Sequence, residues 1–270
     1  MPLTQIMVAL PGEAKALIAY YGLKRRLSET AFSIYEKDGV CLTVSGVGKV
    51  AMAAAVSYVH VLFGVETPKI WLNPGIAGHP RAGLGELFIA HKITDVDTDQ
   101  CWYPPLCFTP PCPSEQVFTV SKVLPDYPCD GLYEMEASAF QAAATRFCSA
   151  ELVHSLKIVS DNREFPATRV NARQVSELIG ARVEEIEAVR RMQCELAQEA
   201  YDGETIELDQ YIGRWHFSAQ QRYQLQQALW RWRILAPAEE PPFERLRELR
   251  SAKQVLQWLT RRLQELPIRL

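Results

Sequence analysis

Lys69-Ile70-Trp71-Leu72-Asn73-Pro74-Gly75-Ile76-Ala77-Gly78 joins a short apolar run to a cluster of turn-forming residues. The run Lys69 to Leu72 reads as a buried strand and Asn73 to Gly78 as a glycine-rich turn. The same grammar recurs on both sides. Upstream, Gln5 to Leu10 reads as a strand, Pro11-Gly12 as the entrance to a helix from Glu13 to about Tyr21, and Val40 to Val44 as a second strand. Gly46-Val47-Gly48 then leads into an alanine-rich helix, Lys49 to Phe63. Downstream, Leu87 to Ala90, Val117 to Val123 and Ser155 to Val159 are strand-like, whereas Glu134 to Phe147 and a long stretch from Asn171 to Ala200 are helical. Short buried strands alternating with helices predict an α/β domain whose helices flank a central, mixed but mainly parallel sheet. In such sheets ligands bind beyond the carboxyl ends of the strands, which draws attention to 12–13, 46–49, 75–78 and 160–161.

The chain has 270 residues, of which 48% are hydrophobic and 23% charged, enough apolar material for a large core. A net charge of -3 argues against wholesale coating of a nucleic-acid backbone, so nucleic acid is not an expected partner. The longest uncharged stretch near the front, Val50 to Val65, is shorter than a membrane span and carries His60, so no membrane association is expected. No Lys or Arg precedes Lys15 and the first apolar run, Ile6 to Leu10, is too short for a secretory signal. Seven cysteines without a C-x-x-C pair suggest neither a disulfide framework nor a metal site, and the expected setting is cytoplasmic.

The charge is unevenly distributed. Residues 1–200 carry 18 basic and 23 acidic side chains, residues 201–270 carry 11 and 9, and the tail holds four of the six tryptophans and ten Arg to one Lys. A boundary is expected at the turn signal Tyr201-Asp202-Gly203, with a helical extension beyond it. Its helices are expected over Ser218 to Leu235 and Phe243 to Leu266, separated by Pro237 to Pro242. Arg214, Arg222, Arg231 and Arg233 with the tryptophans suit packing on the core or on a second subunit, or a docking face for a protein partner or, less well at the tail's balance of +2, a single-stranded nucleic acid.

Read singly, Glu13 is a first-turn helix carboxylate, Gly46-x-Gly48 a tight turn, Asp161 an N-cap or turn residue, and Glu134 and Glu136 a solvated helix start. Together they form a pattern. Val44-Ser-Gly-Val-Gly-Lys49, Asn73-Pro-Gly-Ile-Ala-Gly78, Glu134-Met-Glu-Ala137 and Val159-Ser-Asp161 follow in the order of the purine nucleoside phosphorylase and nucleosidase superfamily. Over residues 5–200 the chain resembles methylthioadenosine/S-adenosylhomocysteine nucleosidases and futalosine hydrolase. The resemblance implies a single nucleoside-phosphorylase-like domain, residues 1–200, acting on a nucleoside without metal or organic cofactor, as a homodimer or higher homo-oligomer. It implies Asp161 as the acid that protonates the leaving base and Glu13 as the base that activates water. Glu136 would bind the ribose hydroxyls and Met135 lie against the sugar, with Glu134, Ile76, Ala77, Gly78 and Ser160 completing the substrate site. At a helix N-terminus Glu13 is expected to be ionised. Asp161 must hold a proton to donate.

Two departures qualify the pattern. The early helix offers only Lys15 and the turn carries Ile76 where the phosphorylases have Ser, so water is favoured over phosphate as nucleophile, with His79 and Arg81 as possible substitute anion ligands. Only 58 positions separate Ile76 from Glu134, and the shortened part includes the proline-dense segment Cys101 to Cys112. Trp102, Tyr103 or Phe108 from that segment are candidates to pack on the base. The readings left open are hydrolysis, phosphorolysis, and a noncatalytic nucleoside-binding or scaffold protein.

Overall fold

A computed structural model describes residues 2–266 apart from 28, 65–68, 125, 202–207, 237 and 241. The strands are β1 (Leu3–Val8), β2 (Lys24–Arg25), β3 (Ser33–Lys37), β4 (Val40–Val44), β5 (Lys69–Gly78), β6 (Leu87–Asp95), β7 (Cys101–Trp102), β8 (Ser114–Thr119), β9 (Leu132–Glu134) and β10 (Val153–Asp161). The helices are α1 (Pro11–Tyr21), α2 (Lys49–Leu62), α3 (Ala137–Ala144), α4 (Ala172–Ala181), α5 (Val183–Tyr201), α6 (Leu208–Arg214), α7 (Ala219–Leu235), α8 (Phe243–Leu246) and α9 (Ala252–Glu265). Sheet order is β10-β6-β8-β9-β5-β1-β4-β3-β2, and β10 also pairs with β5, so five strands close into a ring while the remainder fans out as an open sheet. Parallel pairing of β1 with β4 and β5, of β5 with β10, and of β6, β8 and β9 carries most of the ladder.

One face of the sheet buries Met52, Val56 and Val59 of α2 with Phe140 of α3. The other buries Leu17 of α1, Ile179 of α4 and Ile186 and Val189 of α5. Central strands such as β10 are buried along their whole length, which is why they show no polar alternation.

Several expectations are corrected. Asn73 to Gly78 is not a turn but the continuation of β5: Ser155 to Asp161 of β10 pairs alongside it, while the ladder to β1 ends at Leu72. Pro74 lies beyond that end, and the Asn73 side-chain amide donates to the Met7 carbonyl at 2.9 Å where the backbone ladder stops. Glu134 lies in β9, and α3 begins only at Ala137 because the Glu134 carboxylate accepts the N–H groups of Glu136 and Ala137 at 3.0 and 2.8 Å. The helix expected over 171–200 is two, broken at Arg182, whose Nε donates to the Gly85 carbonyl at 2.8 Å. Asn171 caps α4, accepting from the N–H groups of Arg173 and Gln174.

The tail has four described helices rather than two. Ser218 caps α7 as its sequence suggests. The second expected helix is divided into α8 and α9, and α6 precedes them. These helices share an apolar cluster that includes Tyr211, Trp215, Leu229, Trp232 and Leu259. Ile234 packs into the cluster under α2 and α3. Arg231 reaches the fully buried Glu151 at 2.6 Å. Trp215 and Trp232 are therefore interior residues, not part of an exposed docking face. Residues 202 and 203 of the expected boundary turn, and Pro237, lie outside the described residues. Among the described residues no helix is long and apolar enough to cross a membrane.

Candidate active site

A cavity of about 530 Å³ opens where β5, β9 and β10 end and α1 begins, the position expected of a ligand site in such a sheet. All nine residues singled out in the sequence line it: Glu13 from α1, Ile76, Ala77 and Gly78 from β5, Glu134, Met135 and Glu136 from the β9–α3 junction, and Ser160 and Asp161 from β10. Ser160 and Asp161 are adjacent yet both reach the cavity because β10 shifts register between Val159 and Asp161. A strand without that bulge sends consecutive side chains to opposite faces.

Glu13 is buried on the first turn of α1. Its Oε2 accepts the N–H groups of Ala9 and Leu10, each at 2.9 Å, and its Oε1 accepts that of Ile76 at 3.0 Å. Burial pushes this carboxyl above its ordinary value and outweighs the Lys157 ammonium and the three N–H donors, which pull it down. The direction is opposite to that expected from the helix N-terminus alone.

Lys157, in the middle of β10, is one of the residues that sequence reasoning missed. Its ammonium is buried, 2.8 Å from Oδ1 of Asn73 and 3.1 Å from Oε2 of Glu134. A Cβ at residue 75 would lie 2.9 Å from Oε1 of Glu13 and 3.3 Å from the Lys157 nitrogen. Glycine there lets both charged groups lie against the β5 backbone. The available signal was a lone lysine inside the apolar run of a strand, a position where an unpaired charge is not tolerated.

Glu134 spends its carboxylate internally: Oε1 accepts from Thr119 Oγ1 at 2.6 Å, and Oε2 serves Lys157 and the start of α3. Glu136 accepts the Gly48 N–H on Oε1 at 2.7 Å, and among the described residues its other oxygen has no hydrogen-bond partner. Gly48 has φ +99°, a conformation that suits glycine, and this gives the G-x-G turn its purpose. Burial, then repulsion from Glu134, raises the Glu136 carboxyl to about 7 against the pull of Lys157.

Asp161 receives two O–H donors, Ser160 Oγ on Oδ1 at 2.6 Å and the Tyr127 hydroxyl on Oδ2. The aromatic lining comes from Tyr127 and Tyr133, not from the proline-dense segment. Trp102 packs against the cluster around Ile93, Phe108 meets His154 edge to face, and Tyr103 is exposed. His79 and Arg81 also stay out of the cavity. His79 Nδ1 accepts the N–H groups of Arg81 and Ala82, and Arg81 pairs with Asp130. Lys15 is exposed and likewise outside. Among the described residues no Arg, Lys or His lines the cavity, while four carboxyls do. No group of three or more metal-ligating side chains occurs among the described residues.

No protein-family model matches the sequence, and no curated protein matches it. Among solved structures, the chain is similar to apo 5'-methylthioadenosine nucleosidase from Arabidopsis thaliana, with TM-score 0.56 and 14% identity over 73% of this chain and 97% of that one. It is similar to 5'-methylthioadenosine/S-adenosylhomocysteine nucleosidase from Helicobacter pylori at TM-score 0.55 and 13% identity, over 71% and 99% of the two chains. A futalosine hydrolase mutant from Helicobacter pylori gives TM-score 0.54 and 13% identity over 71% and 100%. The chain thus has the fold of these nucleosidases, with its C-terminal helices added to it.

Proposed function

We propose that the protein hydrolyses the N-glycosidic bond of a purine nucleoside or modified nucleoside. The observation that carries this reading is the charge of the cavity: carboxyls line it, no cation among the described residues does, and an apolar wall faces them. Cleaving the C1'–N bond develops positive charge on the ribose, which carboxylates stabilise, and negative charge on the departing base, which an acid must neutralise.

In this reading Glu13 takes a proton from water as the water oxygen bonds to C1'. The C1'–N bond breaks with its electron pair going to the base, and Asp161 supplies the proton the base needs. The products are the free base and the ribose, and both carboxyls return to their starting states by proton exchange with solvent. A buried carboxylate with raised proton affinity is a better base than an exposed one, and its three N–H donors fix its direction. In the same reading the oxygen of Glu136 not engaged by Gly48 accepts a ribose hydroxyl, and Met135 offers the sugar an apolar face. Phosphate, an anion, would meet four carboxyls and, among the described residues, no counter-charge on the cavity wall, which favours water as the nucleophile. Residues 201–270 are, on this reading, a helical appendage to a catalytic domain of residues 1–200.

The test is free-base release from adenosine, inosine, 5'-methylthioadenosine and futalosine, each with and without phosphate. Release in phosphate-free buffer is expected. Release only with phosphate makes the protein a phosphorylase, and binding without release makes it a noncatalytic receptor; either overturns the proposal.

A further inference from the structure

The Tyr127 hydroxyl donates to Oδ2 of Asp161 on the wall of the cavity. Asp161 is opposite Gly78 in the β10–β5 register. A Cβ at residue 78 would lie 2.6 Å from Oδ2 of Asp161 and would touch the Tyr127 hydroxyl. The phenol tip therefore rests on bare strand backbone, in the space that the absence of a side chain at 78 provides, and donates to Oδ2 from there. Ser160 already holds Oδ1. Each oxygen of Asp161 accepts one O–H bond in the resting protein, so the proton that Asp161 passes to a base is loaded on Oδ2 as the Tyr127 hydroxyl leaves it.

The tyrosine is held by a small cluster. Its ring lies 5.3 Å from that of Tyr133, with Val120 buried in the same group and Leu124 and Met135 packed against it. The Tyr133 hydroxyl accepts the Cys129 N–H at 2.9 Å and donates to the Cys129 carbonyl at 3.2 Å, tying β9 to the segment that bears Tyr127. Residues 120–131 contain no regular helix or strand among those described, so the segment can re-seat a side chain without breaking a ladder.

We propose that Tyr127 is a latch on Asp161 and thereby the residue that sets specificity for the base: a purine is accepted only by displacing the Tyr127 hydroxyl from Oδ2. The proposal rests on the reading of Asp161 as the base-facing acid. Burial, reinforced by the Asp161 carboxylate, keeps the phenol protonated well above its ordinary range, so the latch remains a donor at every working pH.

The experiment combines adenine binding by calorimetry with 19F NMR of protein carrying 3-fluorotyrosine, the Tyr127 signal being assigned from its loss in Tyr127→Phe. Adenine is expected to move that signal in the direction that Asp161→Ala moves it. Tyr127→Phe, checked for an unchanged urea midpoint, is expected to bind adenine about tenfold more tightly, the value of one hydrogen bond to a charged group. That gain should vanish in the Tyr127→Phe, Asp161→Ala double variant. Adenine binding that leaves the Tyr127 signal unmoved overturns the latch, and the NMR arm decides this in the parent protein even if the variant does not fold. Equal affinity of a folded Tyr127→Phe overturns it too. If adenine, hypoxanthine and their nucleosides bind neither protein, the nucleosidase reading itself falls, and the latch with it.

Discussion

Replacing Lys157 by methionine removes a buried cation beneath the carboxyls of the cavity while keeping most of the side chain's apolar stem. The Lys157 side chain is 2% exposed and that of its ion partner Glu134 is equally buried. Breaking such a pair costs about 3–5 kcal/mol, because the surviving charge keeps its desolvation penalty and loses its compensation. The cost should depend on pH. Lys157 pulls down the carboxyls of Glu13 and Glu136, both already raised by burial. Without it both rise further above their unfolded values near 4.5. A folded carboxyl with raised proton affinity contributes stability that is full below the unfolded value and is lost as pH rises through the folded one. The variant should therefore lose less at about pH 5 than at about pH 8, where the loss is full. Urea unfolding followed by circular dichroism at the two pH values measures this, provided the slope of free energy against urea is unchanged. An equal loss at both, or a loss below about 1 kcal/mol at the higher pH, would refute the view that Lys157 holds the site's charge together.

Three other substitutions test separate parts of the account. Gly75→Ala places a methyl group 2.9 Å from Glu13 Oε1. It should reduce free-base release by at least about tenfold through displacement of that carboxyl, while circular dichroism stays unchanged. Glu136→Gln removes a carboxyl raised to about 7, so above that pH the variant should be more stable than the parent by up to about 3 kcal/mol, converging with it below about pH 4. Thermal melts across that range would show the crossing. Arg231→Met strips the fully buried Glu151 of its ion partner while Ser149 Oγ still donates to it. Because the guanidinium is more than a third exposed and partly screened, a loss of about 2 kcal/mol is expected, accompanied by faster hydrogen exchange in α7.

The parts of this molecule legible in its sequence are those whose local chemistry and tertiary setting agree. Val40 to Val44 and the alanine-rich α2 are β-branched and helix-favouring respectively, and Ser218 sits three residues before Gln221 as a capping pair should. Asn73 to Gly78 was illegible for the opposite reason: its residues favour turns, and only pairing with β10 makes them a strand. β3 went unread because a five-residue, mostly half-buried strand next to the sheet edge has weak periodicity. The candidate site was legible as motifs, and all nine residues meet in one cavity. Lys157 was hidden inside a strand with no alternation to mark it. Tyr127 lies in a segment without regular structure, where aromatic residues follow no period. Trp102 and Phe108 were plausible partners for a base by chemistry, but packing took both into apolar clusters.

The most direct measurement uses whichever nucleoside of the panel is cleaved fastest in phosphate-free buffer. Rates of free-base release are compared for the parent protein, Glu13→Gln and Asp161→Asn, with nucleoside binding measured in parallel. The account predicts that each substitution lowers the rate by about a hundredfold or more, the usual worth of a positioned acid or base, while Glu13→Gln still binds the nucleoside. Undiminished release by either variant would contradict it.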